Sequence, residues 1–133
     1  MCLHICLDQK KNEKILKRWF GRRQKFAYVY KVLQKRSNED FYRSTLYQNF
    51  KWDFRKQKIF EVDRSSKPTE KELYFAKINK GLHVFTSLEK AESYRSFLDE
   101  VIVKFRVNKE DIIAVESYIR EAVCKRLGFV RVL

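Results

Sequence analysis

Phe26-Ala27-Tyr28-Val29-Tyr30-Lys31-Val32-Leu33 decides the fold. β-Branched and aromatic side chains crowd this stretch, apolar residues fall on both alternating faces, and no Gly or Pro interrupts it. Such a segment reads as a central strand, apolar beyond one face. Val101-Ile102-Val103-Lys104-Phe105-Arg106-Val107 has the same character and reads as a second core strand.

On the N-terminal side, Met1-Cys2-Leu3-His4-Ile5-Cys6-Leu7 alternates, with Leu3, Ile5 and Leu7 on one face and Cys2, His4 and Cys6 on the other. Asn12 is placed to cap a helix over about 12–20, whose Ile15, Leu16, Trp19 and Phe20 make an apolar stripe and which Gly21 ends. On the C-terminal side, 34–40 is a polar connection. Within 46–55, Phe50, Trp52 and Phe54 alternate with Lys51, Asp53 and Arg55, the pattern of a half-buried strand with its aromatics in the core. A short strand at 59–62 follows, then a flexible loop at 63–70 containing the only proline, Pro68.

A strand at 82–85 leads to Thr86 and Glu89, a T-x-x-E capping box opening a second helix over about 87–98, with Leu88, Ala91, Tyr94 or Arg95, and Leu98 on one face. Residues 108–115 make a turn into a short apolar piece, and 122–133 ends the chain as one strand bent at Gly128. The expected class is α+β: a mostly antiparallel twisted sheet with two main helices, about 12–20 and 87–98, in a single domain over residues 1–133. The helix between the strands at Leu82 and Val101 is expected to make one parallel crossover.

Composition bounds the function. The 133 residues are 44% hydrophobic and 15% aromatic, enough apolar surface to exclude global disorder. No apolar run reaches the roughly 18 residues of a membrane span, and the first seven residues lack the charged region of a signal peptide. The expectation is a soluble cytoplasmic protein without a membrane partner, its three cysteines reduced.

Charge is uneven. The formal net charge is +13, but residues 1–60 carry 16 basic and 5 acidic side chains, whereas 61–133 carry 14 and 12. Clustered cations suit a polyanion, since condensed counterions are released only where cations face the phosphates together. The densest group, Lys10, Lys11, Lys14, Lys17, Arg18, Arg22, Arg23 and Lys25, opposed only by Glu13, follows the first helix and its end. A second, Arg43, Lys51, Arg55, Lys56 and Lys58, lies on or beside the aromatic strand near Tyr42 and Tyr47, which are placed to stack on unpaired bases. Lys90, Lys109 and Arg120 belong to the near-neutral half and are expected to lie off that interface. RNA, DNA or a nucleoprotein complex is the expected partner; no cofactor is expected.

Cys2, His4 and Cys6 would be spaced about 6 to 7 Å along one strand face, too wide for three ligands of one metal, and a fourth would have to come from His83 or Cys124. Packing is the better reading, and no metal is expected. Removal of Met1 would leave Cys2 as an N-terminal nucleophile, but the Gly-rich turns that shape an oxyanion hole are missing.

Two resemblances complete the reading. The Met1-Cys2-Leu3 start, the Val29-Tyr30-Lys31-Val32-Leu33 strand, the Gly81-Leu82-His83-Val84-Phe85-Thr86 strand before a capped helix, and Val101-Ile102-Val103 resemble a family of small uncharacterised proteins of phages and host-associated bacteria. This implies a phage or mobile-element context, in which a basic module that binds nucleic acid, or inhibits a host defence nuclease, would fit. After Val107 the chain departs from that family, having Asn108-Lys109-Glu110-Asp111 in place of an Ile-Pro-Lys-Gly turn. Separately, the segment from Gly81 to Ser87 with Ala91 and Tyr94 looks like the middle of small ADP-ribosyltransferase-like folds. The alternative this implies is an enzyme acting on an NAD-type substrate, with His4 orienting the nicotinamide riboside, Tyr94 stacking on the nicotinamide and Glu121 stabilising oxocarbenium charge.

Overall fold

A computed structural model describes residues 3–4, 9–44, 51–75, 77–95, 98–116 and 118–133. In chain order the elements are β1 (Leu3–His4), α1 (Gln9–Phe20), β2 (Phe26–Lys35), β3 (Tyr42–Arg43), β4 (Lys51–Trp52), β5 (Ile59–Glu61), α2 (Glu70–Phe75), β6 (Lys77–Ile78), β7 (Leu82–Phe85), α3 (Leu88–Tyr94), β8 (Glu100–Asn108), β9 (Ile112–Val115), β10 (Glu121–Cys124) and β11 (Arg126–Val132). One 3-10 turn, Lys109–Asp111, joins β8 to β9. The main sheet runs β5-β11-β8-β2-β7-β10-β9, with β3 and β4 added at the end of β2, while β1 and β6 form a separate pair. Its pairings are antiparallel, so the fold is α+β.

β2 and β8 form the spine, in register from Phe26↔Asn108 to Gln34↔Glu100. Ala27, Val29 and Leu33 of β2 and Val103, Phe105 and Val107 of β8 point into the main core. There they meet Ile15 and Phe20 of α1 together with Trp52, Phe54 and Phe60. The aromatics interlock: Trp52 lies 4.8 Å from Phe60, and Phe54 stacks on Phe129 at 4.2 Å. Trp52 and Phe54 are inward as expected, but of the strand expected over 46–55 the described residues form only Lys51–Trp52, and Phe54 reaches the core from the turn that follows; Phe50 and Tyr47 fall outside the described residues. On the opposite face, Ala91 of α3 covers Val32 and Ile102, ringed by Tyr30, Phe85 and Tyr94.

β7 and β8 both run antiparallel to β2 and flank it, so they are parallel to each other with α3 as their connection. The expected crossover is therefore a split one, with β2 between its two strands.

The end of the chain differs from expectation. It is two strands, and the break is at Lys125 instead of Gly128. β10 joins β7 and β9 at one end of the sheet, whereas β11 joins β5 and β8 at the other. A single residue spans at most about 7 Å between its neighbours. The sheet must therefore curl until its two sides approach, an open barrel around the main core. The bend in β11 is a register shift between Phe129 and Arg131.

Both main helices depart from their predicted limits. α1 begins at Gln9, and Asn12 is not its cap. Its buried side chain reaches the free edge of β9, where Nδ2 donates to the Ile113 carbonyl (3.2 Å) and Oδ1 accepts from the Val115 amide (3.2 Å). One amide thereby does the work of a neighbouring strand and closes a sheet edge. α3 is capped by Ser87, whose Oγ accepts from the Lys90 amide (3.3 Å). Thr86 Oγ1 donates instead to the Ile119 carbonyl. The helix stops at Tyr94 because Arg95 turns extended (ψ 120°) to feed β8, which leaves Leu98 at the surface.

Helix α2 lies where no helix was expected. Thr69 and Glu72 form a reciprocal capping box, Thr69 Oγ1 accepting from the Glu72 amide and Glu72 Oε1 from the Thr69 amide. The preceding loop is tied down, since Arg64 binds both Glu72 carboxylate oxygens (2.7 Å each) and donates to the Lys80 carbonyl.

Candidate nucleic-acid interface

Strand parity builds the site. Phe26, Tyr28 and Tyr30 alternate with the core residues of β2 and so share its outer face, as do Lys104 and Arg106 on β8. Tyr28 stands opposite Arg106, and Tyr30 opposite Lys104. α3 covers the Tyr30 end of this face, but Tyr28 is 44% exposed. The cations lie over the rings: Lys104 Nζ is 4.2 Å from the Tyr28 centroid and Arg106 Cζ 3.9 Å from that of Phe26. Phe26 and Tyr28 meet edge to face at 5.8 Å. These contacts fix the aromatic planes and add cation–π attraction.

β11 extends the face. Gly128 lies opposite Arg106, and Arg131 opposite Lys104. With no side chain at Gly128, a hollow of about 260 Å³ opens beside Arg106, bordered by Ile59, Arg126 and Asp111. Burial holds the Asp111 carboxyl above its ordinary range, with Arg126 pulling the other way.

A larger cleft, of about 810 Å³, adjoins this hollow, and Arg106 and Asn108 line both. Gly21 (φ +68°), a left-handed position that glycine adopts without strain, ends α1 with its amide on the Lys17 carbonyl. The chain then turns so that Arg22 and Lys25 reach the cleft. The Lys109 amide donates to the Lys25 carbonyl (2.9 Å), which brings Lys109 to the same rim. Lys109 was expected off the basic surface; pairing of β2 with β8 puts it on that surface.

The two predicted basic groups part company. Lys14, Lys17, Arg18, Arg22, Arg23 and Lys25 are exposed along α1 and its end, and Arg22 and Lys25 line the cleft. The side chains of Lys10 and Lys11 lie outside the described residues. Arg43, Lys51 and Arg55 gather at the other end of β2, about 25–30 Å away by the strand rise. There Arg43 bonds Glu39 (2.8 Å), Arg55 pairs with Asp40 and Asp53 (3.5 Å each), and Lys51 lies over Phe41. Arg43 and Arg55 are thus each held by carboxylates. Tyr42 packs against Phe54 at 5.4 Å on the rim of the core.

For the transferase reading, Tyr94 and Glu121 both neighbour Phe85. Tyr94 rests on its ring at 5.1 Å, and Glu121 is its cross-strand partner. Burial, and then Glu116, raise the Glu121 carboxyl above its ordinary value. The side chain of His4 lies outside the described residues. The ring of Tyr94 is thus engaged in packing beneath α3.

Three further titratable groups are buried against the sheet: Lys31 and Cys124 on the face of the main core, and His83 on the opposite face, across from Val123. Burial lowers Lys31 to about 8; its Nζ donates to the His83 carbonyl (2.7 Å) and lies 5.7 Å from the Trp52 ring centroid. Burial, and then Lys31, lower His83 to about 4, with Nε2 3.1 Å from the Ile78 carbonyl. Burial raises the Cys124 thiol well above its usual value, so it packs as a small apolar group. Among the described residues no three His, Cys, Asp or Glu gather as a metal site; Cys2 and Cys6 lie outside them.

Comparison with protein-family models, curated proteins and solved structures finds no match for this chain. The functional reading therefore rests on the residues themselves. Counting charge along the chain missed Lys104, Arg106, Arg126 and Arg131, because they come from its near-neutral half. The alternation in 101–107 carried a usable signal, since it separates Lys104 and Arg106 from Val103, Phe105 and Val107.

Proposed function

We propose that the protein binds single-stranded nucleic acid across the outer face of β2, β8 and β11, without catalysis of its own. The observation that carries this is the exposed ring of Tyr28 set between Lys104 and Arg106. A base offers a π-face to a tyrosine whatever its sequence, and each such stack contributes about 1–3 kcal/mol. Lys104, Arg106 and Arg131 then follow the backbone, Arg through two-pronged hydrogen bonds to phosphate and Lys as a point charge. Stacking needs bases free of a duplex, so the face suits single strands and loops. The exposed cations of α1 add longer-range attraction that speeds encounter. In the phage-like context implied by the sequence resemblance, such binding would shield a strand from a host nuclease.

Fluorescence anisotropy with labelled 12-residue single strands of RNA and DNA, and with the matching duplexes, tests the reading. Expected is salt-sensitive binding in which at least one single strand is held more tightly than its duplex. Absence of binding at moderate salt, or preference for duplex, would overturn it.

A further inference from the structure

Five cations line the large cleft between the end of α1 and the 66–68 loop: Arg22, Lys25, Lys67, Arg106 and Lys109. Two carboxylates, Glu13 and Glu110, share it, leaving a net +3. Among the described residues none of the five cations forms an ion pair. The floor is apolar, made by Leu16, Ile112 and Ile113. A space of about 810 Å³ is the size of a small-molecule site.

An internal nucleotide brings one negative charge. A terminal phosphomonoester carries about 1.5 to 2 at neutral pH, and the phosphodiester next to it raises the total to about 3. Of single nucleotides, a phosphorylated terminal one matches the +3 of the cleft and an internal one does not. Arg106 and Asn108 line both the cleft and the hollow on the sheet, so a strand can pass between them without leaving cationic cover. We infer that the cleft is an end pocket, which takes the phosphorylated terminal nucleotide of a strand whose body lies on the sheet. The inference rests on the strand-binding reading above.

The test uses the full chain and hexathymidylate labelled at one end, with the other end either hydroxylated or phosphorylated, in 5′ and 3′ versions. One terminal phosphate should tighten binding five-fold or more, and the gain should vanish in a Lys67→Gln, Lys109→Gln double variant of unchanged melting temperature. Tyr28→Ala should weaken both forms while the ratio between them survives. Equal affinity for phosphorylated and hydroxyl-ended strands overturns the end pocket and leaves the sheet reading standing. If no strand binds, the sheet reading has failed, and NMR decides on the cleft alone. Amide shifts at Lys67 and Lys109 with thymidine 5′-monophosphate but not with thymidine support the pocket; unchanged spectra overturn it.

Discussion

Tyr28 on β2 and Arg106 on β8 stand directly opposite each other across the central ladder, on the face turned away from the main core. The two are 78 positions apart, so only the pairing of the two spine strands makes an exposed aromatic ring and a guanidinium into neighbours. The candidate interface is therefore a property of register: a one-residue slip would turn Tyr28 into the core and Val29 to the surface.

Charge removal should distinguish the two basic regions. Lys104→Gln and Arg106→Gln should each lower the slope of log affinity against log salt by about 0.7 on a single strand, with an even loss across sequences. Arg43→Gln and Arg55→Gln should have much smaller effects, because Glu39, Asp40 and Asp53 already balance those cations. Titrations at three or more salt concentrations provide the comparison. Equal slopes for both sets would mean that net charge alone drives binding.

Asn12 should matter more than any exposed residue of α1. Asn12→Leu leaves the Ile113 carbonyl and Val115 amide of β9 without their side-chain partner. A destabilisation of about 2 kcal/mol is expected, along with self-association through the uncovered edge. Urea unfolding gives the first and light scattering the second. Lys14→Leu, at an exposed position of the same helix, is the control and should change stability little.

Much of the spine was legible in the sequence. The aromatic and β-branched run at 26–33 and the alternation at 101–107 are strong local signals, and both are long strands here. Thr69 and Glu72 also carried a readable capping box, although the helix behind it is only six residues long. What was not legible depends on contacts distant in the chain. Asn12 has ordinary capping chemistry, and only the position of β9 recruits it to a sheet edge. Lys125 looks like any strand residue, yet the curl of the sheet breaks the strand there. The order of cations along the chain also does not carry that the fold pairs Arg43 and Arg55 with acids and brings Lys109 up to Lys25.

The two faces of the spine should respond differently to a buried charge. Phe105→Asp puts a carboxylate in the sealed main core between Val29 and Phe129, its apolar cross-strand partners, and should lower stability by about 4 kcal/mol or more. Tyr30→Asp, on the half-buried face under α3, lets the carboxylate reach the neighbouring Lys104 and solvent. That variant should remain soluble with a smaller loss. Comparing yields and melting temperatures checks the pair; equal collapse of both would contradict the assignment of faces.

Stability should fall in acid below neutrality through His83. Its folded value, about 4, lies below the ordinary 6.5, so between these pH values the unfolded chain binds the extra proton. The contribution is complete above 6.5 and is lost as pH falls towards 4. Lys31 acts in the same direction in alkali: with a folded value of about 8 against 10.5, its contribution rises from pH 8 to 10.5. Melting curves of the wild type beside His83→Asn and Lys31→Met should show each variant lacking the slope in its own window. Parallel curves would show that these groups titrate alike in the folded and unfolded chain.

The proposed interface depends on a base stacking on Tyr28. Its most direct measurement is the dissociation constant of a 12-residue single strand for the wild type, Tyr28→Ala and Tyr28→Trp at one salt concentration, with melting temperatures recorded for each. Tyr28→Ala should bind about 5- to 100-fold more weakly, the equivalent of one lost stack. Tyr28→Trp should bind at least as tightly as the wild type. If all three bind alike while folded, the outer face of the sheet is not the nucleic-acid surface.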